Sequence, residues 1–141
     1  MIECSNFLDM ADNRAMDLDN KIRLARVNDM GLEATAIRLR AAFHASGLAQ
    51  HQDLANAAGV SKSVLSNAMA GGTYPNRDVM KYLYRAHRID FNFLMNGDFS
   101  QLPGDVQERV FAALEVATSE WDQKEGSDRA RAAQTRSPAK K

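Results

Sequence analysis

Apolar positions recur along most of this chain at the three-and-four spacing of an α-helix. No stretch alternates with the period of two that a half-buried strand needs, so the pattern predicts an all-α protein. Over residues 6–28, Leu8, Ala11, Ala15, Leu18, Ile22 and Ala25 line one helical face. That face fits a short dimerisation seam or a helix lying on the domain, and its alanine half makes it a weak seam. Asn28, Asp29, Met30 and Gly31 form a break. Residues 33–46 read as an amphipathic helix with Ile37, Leu39, Ala41 and Phe43 inward, closed by Gly47. A short helix follows over 50–58, with Leu54, Ala55 and Ala58 inward, and Gly59 ends it. Ser61 can cap the next helix, to Met69. After a Gly-Gly-Thr-Tyr-Pro loop, Asn76 can cap a helix to His87, and FNFLMNG makes a short one ending at Gly97. A last helix is expected from Asp105 to Trp121, with Val106, Val110, Leu114, Ala117 and Trp121 on one stripe. Trp121 can pack on the bundle or serve a dimer contact.

Composition narrows this picture. With 141 residues, 45% hydrophobic and 26% charged, the chain suits one domain with tails. No apolar run has the length of a membrane span, and the acidic beginning lacks the order of a secretory signal. A cytoplasmic protein is expected. Cys4 is the single cysteine, so no internal disulfide or all-cysteine metal cage can form. The net charge is zero but uneven: residues 31–100 hold seven basic and five acidic side chains, whereas residues 1–30 hold four and six. Nucleic-acid binding would therefore need a small, localised basic face. After Asp122 the apolar residues other than alanine stop, and residues 123–141 read as a disordered tail.

The stretch HQDLANAAGVSKSVLSN, residues 51–67, carries the chemistry. Two helices that cross steeply need a small residue where they touch, and Ala55 supplies it. The tight turn needs a left-handed backbone, which Gly59 accepts. Val60 then plugs the angle. With Leu65, Ala68 and Met69 inward, the opposite face presents Lys62, Ser63, Ser66 and Asn67, with Val64 at its edge. Such short polar side chains can donate to and accept from base edges in a major groove: Asn67 can pair with adenine, Lys62 can reach guanine or phosphate, and Val64 can touch a thymine methyl. Backbone N–H groups at the start of either helix can hold phosphates.

LANAAGVSKSVLSNAMAGG, then Pro75, then FNFLMNGD resemble the DNA-binding domain of phage CI-type repressors, in the lambda repressor-like helix-turn-helix family. The resemblance covers residues 33–97. It implies a compact five-helix bundle, here with an additional N-terminal helix and a C-terminal helix plus disordered tail. It also implies homodimeric binding to inverted repeats in double-stranded DNA, and transcriptional control, usually repression. The implied organisation is an N-terminal extension (1–30), the helix-turn-helix domain (31–100), a C-terminal helix offering a dimer contact (101–122) and the tail (123–141). The second helix falls at about 50–57 and the recognition helix at about 61–69. The family's usual glutamine corresponds to His51, flanked by Gln50 and Gln52; histidine can donate similarly, with a pH dependence, or be a solvated helix residue. Ser61 begins the recognition helix. Thr73, Tyr74 and Asn76 match a loop that often lies against the DNA backbone; otherwise Tyr74 packs and Asn76 only caps. The 41 residues after position 100 are too few for the self-cleaving domain that longer repressors of this kind carry.

Other chemistry finds no support. There is no HExxH, CxxC, G-x-S-x-G or phosphate-cradling glycine loop, so no enzyme, catalytic residue, cofactor or metal is expected. His44 and His51 lie two turns apart across a helix break, a poor metal pair. A competing expectation is a helix-turn-helix used as a protein-interaction module, such as an antitoxin. The neutral charge and alanine-rich N-terminal helix suit it, whereas the polar face of Lys62, Ser63, Ser66 and Asn67 favours DNA.

Overall fold

A computed structural model describes the backbone of residues 17–139 and the side chains of residues 17–125. Its described residues form helices and loops without strands: α1 (Leu18–Ala25), α2 (Leu32–Ser46), α3 (His51–Ala58), α4 (Lys62–Met69), α5 (Arg77–His87), α6 (Phe91–Asn96) and α7 (Gly104–Ala139). The all-α expectation holds.

The N-terminal pattern is described from residue 17 onward. Leu8, Ala11 and Ala15 lie outside the described residues. Helix α1 starts where Asp17 accepts the Asn20 N–H, and it stops at Arg26 in a left-handed conformation. Of the expected face, Leu18 and Ile22 are exposed and only Ala25 is buried. The helix lies on α7, where Lys21 Nζ donates to Gln107 Oε1 at 3.2 Å and sits over the Phe111 ring. Its early end has a physical cause in Arg38. That fully buried guanidinium donates to the carbonyls of Ala25 (2.9 Å), Arg26 (2.6 Å), Asp29 and, on α6, Leu94 (3.2 Å). Residues 25–29 curl around it instead of continuing the helix. Burial lowers its pKa to about 10, still far above neutral. The sequence reading gave Arg38 no role.

Helix α2 is central. Every residue from Ala34 to Leu39 is buried, so it is enclosed rather than amphipathic. The reason is α7, which covers the side that α4, α5 and α6 leave open. Small residues on α2 (Ala34, Ala36, Ala41, Ala42) permit the close approach, and the stripe Val106, Val110, Leu114, Ala117 and Trp121 is buried. Trp121 therefore packs on the bundle. Its ring lies beside Gly71 and 5.6 Å from the Arg40 guanidinium. The apolar stripe is thus buried within the chain. Helix α7 also does not stop at Trp121. Its backbone continues as helix to Ala139, so the expected disordered tail begins instead as a continuation of the helix. Ala, Arg, Gln, Lys and Glu favour helix once it is nucleated by a packed segment.

Most other elements follow their local signals. Leu54, Leu65, Met69, Val79, Leu83, Phe93 and Leu94 fill the core. Asn76 and Asp90 cap α5 and α6. Ala86, one residue before the end of α5, is exposed.

Candidate nucleic-acid interface

Helices α3 and α4 pack on each other through a turn built as the sequence requires. Asp53 accepts the backbone N–H of Gln50 at 3.1 Å and fixes the start of α3. Gly59 takes φ +77°, and both its N–H and that of Val60 donate to Ala55 O, at 2.9 and 3.0 Å. Ala55 is fully buried at the crossing, and half-buried Val60 packs on the core. Ser61 Oγ accepts the Val64 N–H at 3.2 Å and caps α4; it also shares a hydrogen bond with Ser63 Oγ. At the other end, Arg40 Nε donates to Met69 O at 2.8 Å, tying the last turn of α4 to α2.

Burial divides α4 cleanly. Leu65, Ala68 and Met69 are buried, while Lys62, Ser63, Val64 and Asn67 are exposed and Ser66 is half-buried. Ser63, Val64, Ser66, Asn67 and Ala70 line a shallow groove of about 560 Å³. Asn67 lies at its far end over Gly72, where a Cβ would come within 2.3 Å of Asn67 Oδ1. Gly72 thus makes room for that amide. Lys62 does not line this groove but belongs to a larger neighbouring cleft.

That cleft, of about 720 Å³, lies among α2, the starts of α3 and α4, and α7. Gln50, His51 and Gln52 line it with Lys62, but so do Arg40, His44, Glu120, Gln123 and Lys124. His44 Nε2 is 3.0 Å from Glu120 Oε1, and Arg40 Nη1 is 3.9 Å from the same oxygen. Sequence reasoning missed the second group. Arg40 and His44 lie four apart on one helix, a legible signal, but the α7 contribution depends on tertiary packing.

The remaining expected residues divide between contact and support. His51 is half-buried, with its ring edge-on to Phe43 at 4.7 Å. Its pKa falls below the usual 6.5, first through burial and then through Arg40 and His44, against the opposing pull of Glu120. The ring is neutral at pH 7, so the pH response considered for it moves into the acid range. Gln52 Nε2 donates along α3 to Asn56 Oδ1 at 2.8 Å. Tyr74 is exposed, yet its hydroxyl donates to Met30 O at 2.9 Å and braces the turn before α2. Asn76 Oδ1 accepts the Asp78 N–H at 2.7 Å as a cap. Thr73 is exposed. The loop residues Tyr74 and Asn76 therefore have structural duties that the motif did not distinguish from contact.

Among the described residues, no group of three or more His, Cys, Asp or Glu could hold a metal ion. None of their helices is long and apolar enough to cross a membrane. Comparison of the chain with protein-family models, with curated proteins and with solved structures finds no match.

Proposed function

We propose that the chain is a sequence-specific DNA-binding transcription regulator, a repressor, working in the cytoplasm as a homodimer on an inverted repeat. In this reading α2–α6 form a lambda repressor-like bundle, α3 and α4 are its helix-turn-helix, and α4 is the recognition helix. One observation carries the proposal. Helix α4 buries Leu65, Ala68 and Met69 and turns Lys62, Ser63 and Asn67, edged by Val64 and the half-buried Ser66, to solvent. Ser63, Ser66 and Asn67 can approach base edges without steric cost, and the Asn67 amide suits the N6/N7 pair of adenine. The opening N–H groups of both helices and Lys62 supply phosphate contacts, which set register. Two copies would place their recognition helices about 34 Å apart, one turn of duplex.

A second reading, a module acting through a protein partner such as a toxin, has one observation in its favour. Tyr84 and Phe91 are exposed side by side with Met80 in an apolar cleft on α5 and α6. Patches of this kind serve contacts between proteins. Selection from a random duplex DNA pool at near-physiological salt separates the readings. An enriched inverted repeat is the expected result, with Asn67→Ala weakening the selected site by about 1–3 kcal/mol, roughly 5- to 150-fold. Retention without any enriched sequence overturns the DNA-reading function and directs attention to the Tyr84–Phe91 face.

A further inference from the structure

The cleft beside the α4 groove is larger than the groove and differently charged. Three permanent cations line it, from three helices: Arg40 of α2, Lys62 of α4 and Lys124 of α7. One carboxylate, Glu120, faces them. Its charge is partly satisfied in place, with His44 Nε2 at 3.0 and 3.1 Å from its two oxygens. Gln50, Gln52 and Gln123 add neutral donors at the rim. The beginnings of α3 and α4 both open here, and the first N–H groups of a helix lack intrahelical acceptors. Arg40 Nε is held by Met69 O and Gln52 Nε2 by Asn56 Oδ1, and Lys124 Nζ lies over the Trp121 ring at 5.5 Å. The remaining donors of four helices face an open polar space whose described lining carries three permanent cations and one carboxylate.

We infer that this cleft is a phosphate site, filled by a backbone phosphate of bound DNA, and that α7 is thereby part of the nucleic-acid surface. The source of the phosphate rests on the proposed DNA-binding function. The geometry supports that source because Lys62 joins the two features. It lines the cleft, and the next residue, Ser63, lines the α4 groove. A strand whose bases face the groove carries its phosphates past Lys62 and over the cleft. Lys124 then acts as a point charge on the backbone. Glu120 opposes the same phosphate and limits the strength of non-specific binding. The site accounts for a DNA-binding protein whose overall charge is zero: the positive charge is concentrated where the backbone passes.

The test compares Lys124→Gln, Lys124→Arg and Glu120→Gln in the full chain. Both positions are solvent-accessible on α7, and thermal melting verifies folding. Binding is measured against salt concentration on the selected site and on random duplex. Lys124→Gln should lower the slope of log K against log salt by about 0.9, the value of one phosphate contact, equally on both DNAs. Lys124→Arg should restore the slope, and Glu120→Gln should tighten both complexes. An unchanged slope and affinity for Lys124→Gln, in a protein that still binds its selected site, overturns the inference. If the wild type binds no duplex, the functional reading fails separately. Titration of inorganic phosphate, followed by the His44 and His51 ring resonances, then decides the site. Saturable shifts at millimolar phosphate uphold a phosphate site supplied by a free phosphorylated ligand, and no shift overturns it.

Discussion

Replacing Arg38 by methionine isolates how the chain holds its N-terminal turn against the bundle. The substitution keeps an unbranched side chain of similar reach and removes the donors. Four carbonyls lose the guanidinium; those of Ala25 and Leu94 are buried, and that of Arg26 keeps the Asp29 N–H at 3.0 Å. The Arg26 and Asp29 carbonyls are part-buried and can recruit water. Leaving a buried acceptor unpaired costs about 1–3 kcal/mol, so the two together cost about 2–6 kcal/mol. Relief from burying a charged group, the same effect that lowers the Arg38 pKa to about 10, offsets part of this. A net loss of about 2–5 kcal/mol is expected, a large share of the roughly 5–15 kcal/mol that domains possess. Arg38→Lys should do no better. It keeps a buried charge, but one nitrogen cannot span acceptors on two sides of the turn and on α6. Urea unfolding of the full chain gives the magnitude. Hydrogen exchange at the Asn28 N–H, which donates to Asn96 O at 2.9 Å, reports the turn itself. A methionine variant within about 0.5 kcal/mol of wild type, with Asn28 still protected, would refute the reasoning that this guanidinium organises residues 25–29.

Gly97 and Gly59 share the same left-handed φ of +77° but not the same surroundings. Gly59→Ala meets nothing within 4 Å and should cost only the conformational penalty, about 1–2 kcal/mol. Gly97→Ala would place a Cβ 2.5 Å from Ala25 O and 3.1 Å from Arg38 Nε, and should cost clearly more in the same unfolding assay; equal losses would show that the clamp yields easily. Gly72→Ala carries no positive-φ penalty, yet its Cβ would displace Asn67 Oδ1. It should leave the melting temperature nearly unchanged and weaken the selected DNA site as far as Asn67→Ala does; wild-type binding would mean that Asn67 acts from another rotamer. Stability should fall as pH drops below 6.5. Burial lowers the pKa of both His51 and His87 in the folded chain, so the unfolded chain takes up protons first and gains from acid. Melting at pH 7.5 and pH 5, with His51→Gln and His87→Gln each flattening the dependence, checks this, and an equally steep profile in the double variant would contradict it.

The α3–α4 unit was legible because each of its requirements is local. A small residue at the crossing, a glycine in the turn, an oxygen cap on the next helix and a three-and-four apolar set are all readable within residues 51–69, and Ala55, Gly59, Ser61, Leu65, Ala68 and Met69 occupy those roles. The exposure of Ser63, Val64 and Asn67 follows from the same periodicity. At Leu18 and Ile22 periodicity left the fate of the face open, because a helical spacing states which residues share a face and not whether another element covers it. It also left Trp121 open between two fates that only packing separates.

What the sequence by itself determined is the set of helices, their caps, and the side of α4 that meets solvent, since these depend on residues within a few turns of one another. Tertiary structure alone decided three things: that α7 encloses α2, that Arg38 ends α1 by drawing distant carbonyls onto one guanidinium, and that Arg40, Lys62, Glu120 and Lys124 share a cleft. Each joins residues far apart in the chain. Their proximity comes from the closing of the core around α2, which no local pattern encodes.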